Sequence, residues 1–419
     1  MRELVTISSV GLITCRICGN SDLETVLNLG DQSLTGVFPR SRDDVVPSVP
    51  LELVKCAPPG CGLVQLRDTA DFGLMYNEGY GYRSGIRPFM INHLHDKVAV
   101  LRNRVEVSPD DLVVDIGSND STLLRGYLPD APKLVGFDLI GEKFRDLYPP
   151  EADLIAGFFS ADAFTERYGD RRAKIVTSIA MFYDLPEPMR FMQDVHDILT
   201  DDGLWLMEQS YLASMLEAGA YDVVCHEHLE YYALAQIEWM AQRTGLKVIS
   251  ADITDVYGGS LCVVLAKQGS DHRVDEAGLQ SIRTREASAK LDTLAPYEEF
   301  ARSAERQRDQ LVDFLAASRI AGKLTLGYGA STKGNVILQY CGLTEADLPC
   351  IGEVSPEKSG CYTPGTGIPI VSEEEAKARR PDQLLVLPWI YRDGFIEREK
   401  EFLANGGKLI FPLPQLEVM

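Results

Sequence analysis

The chain has 419 residues, 45% hydrophobic and 25% charged, which is enough for two or three domains with cores of their own. Its formal net charge of −21 excludes a broad polyanion-binding face, so neither nucleic acid nor an anionic membrane is an expected partner. No stretch approaches the roughly 18 apolar residues of a membrane span, and the N-terminus lacks the basic flank and length of a signal peptide, so a cytoplasmic protein is expected.

The nine cysteines comprise two close pairs near the N-terminus and five scattered singletons. That distribution suits metal ligation plus buried thiols in a reducing compartment, not a disulfide framework. Cys15 and Cys18 lie on one glycine-bearing turn, CRICGN, and Cys56 and Cys61 on another, CAPPGCG. Four thiolates on two tight turns can close a tetrahedron around zinc and leave no open position for catalysis. Little apolar material surrounds them, so metal binding would supply much of the stability of residues 1–70.

An aromatic, glycine-rich loop, YNEGYGYRSG, and a helix lead into the next unit, expected to span 71–273. LVVDIGSND followed by a helix and KLVGFDL reads as a strand, a polar turn, a helix and a second strand ending in acid. Asp115, Gly117, Ser118 and Asn119 occupy the turn, where a chain must approach a ligand. Asp138 closes the second strand, where a carboxylate can accept both ribose hydroxyls. The three-glycine fingerprint that seats a pyrophosphate is missing. An acidic turn instead suits a ligand with an ammonium group and no phosphate, and S-adenosylmethionine (SAM) fits that description. Further strands alternate with helices, as a mainly parallel sheet requires, and the last two look like an antiparallel edge pair joined through Gly258 and Gly259.

The segment YDVVCHEHLEYY concentrates ionisable groups as nowhere else, with two of the six histidines of the chain, His226 and His228, flanking Glu227. A histidine can take a proton at neutral pH, and a neighbouring carboxylate can orient it. Residues 274–320 read as a charged connecting helix with an apolar stripe at Phe300, Ala304, Leu311, Phe314 and Leu315. A second α/β unit, 321–419, opens with KLTLGYGASTKGN. The hydroxyls, Lys333 and the helix N-terminus of that turn would suit a phosphate or diphosphate.

Taken together, the four cysteines, DIGSND, GFD, SIAMFYDLPEP, CHEHLEYY, YGGSL, GYGASTKGN and TPGTGIPI occur in one order over nearly the whole chain. In this the sequence resembles the zinc-containing, SAM-dependent C-methyltransferases that act on nucleotide-linked 4-keto-deoxysugars, of the D-mycarose and tetronitrose type. The resemblance implies an α/β protein with three parts: a small zinc-knuckle domain, a central class I methyltransferase domain of Rossmann type, and a C-terminal Rossmann-like domain that binds the sugar nucleotide. It implies a SAM site built from Asp115, Gly117, Ser118, Asn119, Asp138, Leu139 and Phe159. Catalysis would fall to His228 as base with Glu227 orienting it, and to His226 or Tyr82 near the carbonyl oxygen. Tyr80, Tyr231, Lys333 and Asn335 would contact the substrate. Met181 and Cys225 stand where some relatives carry His and Tyr, and Cys262 where they often carry Arg, so the surface facing the sugar is expected to differ.

The expected reaction is methylation at C3 of a dTDP- or GDP-linked 4-keto-deoxysugar through an enolate, by a monomer or weak dimer with structural Zn²⁺. Competing readings are an O- or N-methyltransferase acting on sugars and a non-catalytic protein that senses SAM or another metabolite. An RNA methyltransferase would need a basic face, and a short basic cluster such as Arg379–Arg380 does not make one.

Overall fold

The computed structural model describes residues 10–76 and 82–419. Tyr80 therefore lies outside the described residues. Among the described residues three larger sheets organise the chain, beside a two-stranded pairing of Val10–Gly11 with Asp68–Thr69.

The N-terminal sheet is antiparallel, with Leu23–Ser33, Ser48–Cys56 and Val64–Leu66 as successive strands and a fourth strand, Glu230–Tyr231, added at its edge. That fourth strand belongs to CHEHLEYY, so the cysteine-bearing unit and the histidine segment share one hydrogen-bonded sheet. The two knuckles sit beside it. Gly19 takes a φ of +73° and returns its N–H to the Cys15 carbonyl. At Gly60 a Cβ would stand 2.2 Å from the Cys56 sulfur, so no side chain fits between the turn and the thiol.

The central sheet has seven strands. In spatial order they are Ala152–Ala156, Lys133–Asp138, Leu112–Ile116, Ala173–Ile179, Leu199–Ser210, Ser260–Lys267 and Leu246–Thr254. Only Ser260–Lys267 runs against its neighbours. Numbered along the chain the order is 3-2-1-4-5-7-6, the arrangement of class I methyltransferases. LVVDI and AKIVTSI are nearly continuous apolar runs because parallel strands are covered on both faces. The order reverses between Leu112–Ile116 and Ala173–Ile179, and a crevice opens beyond their carboxyl ends.

The C-terminal sheet orders Ile370–Ser372, Ile351–Glu353, Thr325–Tyr328, Gln383–Val386, Lys408–Phe411 and Glu417–Val418, all parallel but the last. It repeats the 3-2-1-4-5 core of the central sheet. The likeness extends to single hydrogen bonds. Asp138, closing the second central strand, accepts backbone N–H groups from Asn119 and Ile140, each at 2.8 Å. Glu353, closing the second C-terminal strand, accepts them from Ala330 at 2.7 Å and Ser355 at 2.8 Å.

The connecting segment contains two helices, Glu276–Ser288 and Ala295–Ile320. Phe300, Ala304, Leu311 and Leu315 are buried as the stripe requires, with Phe314 at its margin. The longer helix packs on strand Leu23–Ser33, on helix Leu212–Glu217 and on Thr325–Tyr328, so it touches all three units. Among the described residues, no helix is long and apolar enough to cross a membrane.

Candidate active site and metal centre

The ligand atoms of Cys15, Cys18, Cys56 and Cys61 all lie within 4.8 Å of one another. The Cys15–Cys61 and Cys18–Cys56 sulfur pairs are each 3.5 Å apart. A tetrahedron with Zn–S bonds of about 2.3 Å has edges of roughly 3.8 Å, so the four thiols fit a structural zinc ion. Asn20 Nδ2 donates to the Cys56 sulfur at 3.4 Å, the kind of outer contact that fixes a thiolate ligand.

Between the first two cysteines, Arg16 reaches out of the knuckle. Its guanidinium is buried, donates to the Leu66 carbonyl at 2.7 Å and to Thr69 Oγ1 at 2.8 Å, and lies 3.4 Å from the Glu230 carboxylate. Burial pulls the arginine's pKa down and pushes that of Glu230 well up, while their attraction opposes both shifts. The metal knuckle is thereby tied by a buried ion pair to the strand that follows His228.

At the carboxyl end of the central sheet, the turn after Leu112–Ile116 contains three left-handed residues, Gly117 (φ +76°), Asn119 (+48°) and Ser121 (+63°). A Cβ on Gly117 would come 3.1 Å from Met181 Cγ, so the turn passes close under the loop after the fourth strand. Asp115 is buried beneath it and accepts from Thr177 Oγ1 at 2.6 Å; burial pushes its carboxyl up to about 7. Ser118 is likewise internal, with its hydroxyl 2.8 Å from Tyr148 Oη. Both therefore brace the turn from within instead of facing a ligand. The groups left toward the crevice are the Gly117 backbone, the half-buried Asp138 and Leu139, which is 39% exposed. Phe159 packs edge-on against Phe137 and Phe191, which places it in an aromatic stack of the core; the exposed ring is its neighbour Phe158.

The segment after the aromatic loop closes over this turn. Asn119 Nδ2 donates to the Tyr82 carbonyl at 3.1 Å, and Ser84 N–H donates to Asn119 Oδ1 at 3.0 Å. Gly85 N–H donates to the buried Asp120 carboxylate at 2.9 Å. The Asn119 side chain is thus a latch for residues 82–85.

The histidine segment separates into structural and open groups. His226 is 1% exposed and its Nε2 donates to the Val49 carbonyl at 3.0 Å, so it joins the two domains and cannot reach a substrate. Tyr231 is buried, with its hydroxyl on the Val223 carbonyl at 3.3 Å, and so does not line the substrate site. Cys225 is buried too. His228 and Glu227 are half-buried. His228 Nδ1 sits 3.0 Å from the Val223 carbonyl, and its ring lies 4.2 Å, centroid to centroid, from that of Tyr183. A carbonyl only accepts, so Nδ1 carries the proton and Nε2 keeps its lone pair. Burial, reinforced by the charge of Lys333, holds this imidazole down to about 3.

The carboxylate expected to orient His228 does not do so; the Val223 carbonyl does. Glu227 turns instead toward the N-terminal domain, where Thr35 Oγ1 lies 3.5 Å away and a Cβ on Gly36 would stand 2.2 Å from Oε1. Burial pushes its pKa up. Asn335 Nδ2 donates to the Thr35 carbonyl at 2.7 Å, a contact between domains, while its buried Oδ1 has no hydrogen-bond partner among the described residues. Lys333 acts electrostatically on Asp222, Cys225 and His228, which brings it to the histidine cluster.

Sequence reasoning missed Thr35, Gly36, Tyr183, Asp184 and Tyr257. The SIAMFYDLPEP motif offered a signal for Tyr183 and Asp184, whereas Thr35 and Gly36 reach the site only through folding. Asp184 accepts from Tyr76 Oη at 2.8 Å, and burial raises its pKa well above the ordinary range.

The strand order and this crevice define a class I methyltransferase with an added thiolate metal domain. Family models agree along the chain: a zinc binding domain matches residues 15–76, a methyltransferase domain residues 90–251 and a C-methyltransferase C-terminal domain residues 255–414. The chain is 31% identical to the C-methyltransferase NovU of Streptomyces niveus over 410 residues, covering 97% of this chain and 96% of that one. It belongs to the zinc-containing, SAM-dependent C-methyltransferase family. Likeness to solved structures is partial. The CcbJ methyltransferase of Streptomyces caelestis shares 12% identity at a TM-score of 0.34, covering 46% of this chain and 93% of that one. The plantazolicin methyltransferase BpumL in complex with SAH shares 13% at 0.34, covering 42% and 82%.

Proposed function

We propose that this C-methyltransferase methylates C3 of a nucleotide-linked 4-keto-deoxysugar through an enolate. A sugar C–H is not acidic unless an adjacent ketone can hold the charge, so the site needs a proton acceptor beside a cleft that excludes water. The observation that carries the reading is His228, whose Nδ1 is committed to Val223 and whose Nε2 is left as acceptor. His228 is the base. Glu227 and Asp184 belong to the same cluster, and burial raises the pKa of both carboxyls. Lys333, brought by the C-terminal domain, supplies positive charge on the substrate side and faces either the enolate or the adjoining phosphate.

Asp138, with Leu139 and the Gly117 backbone, holds the nucleoside of SAM, and Asn119 shapes the turn from above. SAM when bound supplies the electrophilic methyl group. Tyr82 closes over both ligands. Holding the reacting atoms in line contributes several kcal/mol to such a reaction.

A sugar O- or N-methyltransferase would need a base but no enolate. Incubation with SAM and a dTDP- or GDP-linked 4-keto-deoxyhexose tests the reading: a new methyl bonded to C3 in the carbon–proton correlation spectrum supports it, and a methyl on oxygen or nitrogen replaces it.

A further inference from the structure

The turn between the two edge strands of the central sheet holds Tyr257 at φ +54° and ψ +26°, a left-handed conformation that aromatic side chains rarely adopt. Glycines follow it at 258 and 259, so the chain had residues suited to that conformation and nevertheless places a phenol there. Strain of this kind persists where the surroundings impose it, and functional sites are where it clusters.

The strain aims the ring at a defined partner. The Tyr257 hydroxyl is hydrogen-bonded to the hydroxyl of Tyr82, whose own carbonyl is held by Asn119 on the cofactor turn. On its other side Tyr257 lines a narrow cleft with Val223, Trp389 and Ile390. Val223 is the residue whose carbonyl orients His228. Tyr183, whose ring lies tilted against that of His228, and Tyr391 are among the phenols that act on Tyr257. The phenol pair therefore lies between the cofactor turn and the base, and Tyr82, at 41% exposure, leaves it reachable from outside.

Two hydroxyls that share one hydrogen bond use one proton between them; the accepting hydroxyl keeps its own O–H for a third oxygen. A donor already accepting a hydrogen bond is polarised and donates more strongly. We propose that Tyr257 is a catalytic residue: Tyr82 donates to Tyr257, and Tyr257 donates to the substrate's carbonyl oxygen as that oxygen becomes the enolate. This rests on the enolate reading of the reaction. The C3–H bond breaks with its proton going to His228 Nε2, and its electron pair forms the C3–C4 double bond while the carbonyl pair moves onto oxygen. Carbon then takes the methyl from the sulfonium, sulfur keeps the bonding pair, the carbonyl re-forms, and the base releases its proton to solvent. Tyr257 transfers no proton in this sequence.

The test uses the full-length protein, SAM, and a dTDP-linked 4-keto-deoxyhexose, following both methyl transfer and exchange of the C3 proton in heavy water. Tyr257→Phe should lower both rates by about 10²-fold, the usual loss for one oxyanion donor, with KM and SAM affinity within about threefold of wild type. Tyr82→Phe should lower them by only about tenfold, and the double variant should match Tyr257→Phe alone, because the two hydroxyls act as a unit. If Tyr257→Phe misfolds, the Tyr82→Phe loss in kcat at constant KM still decides the case. A Tyr257→Phe enzyme that exchanges C3 as fast as wild type, or a Tyr82→Phe enzyme at full kcat, overturns the proposal. A wild-type enzyme that neither exchanges nor methylates C3 overturns instead the reaction on which it rests.

Discussion

His228 gives its Nδ1 proton to the carbonyl of Val223 at 3.0 Å, and that one hydrogen bond sets the tautomer of the candidate base. The carbonyl belongs to the same short segment, so the tautomer survives whether or not a substrate is bound.

The first prediction concerns pH. A base in the free enzyme must be neutral, and His228 is neutral above its own pKa, held down to about 3 mainly by burial and then by Lys333. The acid side of the kcat/KM profile should therefore show no loss at pH 6 to 7 of the kind an ordinary histidine gives. Lys333→Ala removes the second cause and should move the acid limb upward. An acid limb centred near 6.5 in wild type would show that His228 titrates normally.

The second concerns the metal. Protein purified without chelator should contain about one zinc per chain, and Cys56→Ser should lose solubility or thermal stability before any specific loss of chemistry. Well-folded, metal-free protein would contradict this.

The third follows the path from the knuckle to the base. Arg16→Ala leaves Glu230 buried and unpaired, which should cost about 3–5 kcal/mol in chemical denaturation. Because strand Glu230–Tyr231 follows His228, activity should fall further than SAM affinity. A change below about 1 kcal/mol would mean the pair contributes little.

The fourth concerns the cofactor. Asp138→Ala removes a charge-assisted acceptor for ribose and should weaken SAM binding by about 1.5–3 kcal/mol, one to two decades in Kd. Calorimetry showing wild-type affinity would place the nucleoside elsewhere.

The sequence made the metal tetrahedron and both α/β units legible, because cysteine spacing and βαβ patterning are local signals. It could not separate His226 from His228. They lie two residues apart in an irregular segment, and one meets Val49 across a domain boundary while the other meets Val223. The Tyr231 hydroxyl and the Asn335 amide nitrogen meet backbone carbonyls at Val223 and Thr35, partners that only the fold supplies. Asp115 and Ser118 lie at the end of the first central strand and in the turn after it, but their burial depends on Thr177, in the fourth strand, and on Tyr148, in the connection before Ala152–Ala156. The strand Glu230–Tyr231 is too short to be read from alternation and gains its meaning from pairing with Val64 and Gln65.

The most direct measurement follows the C3 proton itself. With a 4-keto-deoxyhexose nucleotide bound, wild-type enzyme in heavy water should exchange that proton, or release deuterium from a C3-labelled sugar. His228→Asn should abolish exchange and lower kcat by about 10²–10⁴-fold, the range for losing a general base, while calorimetry shows SAM still bound. Exchange retained in the His228 variant would contradict the assignment of the base, and methyl transfer by wild type without any C3 exchange or label loss would contradict the enolate.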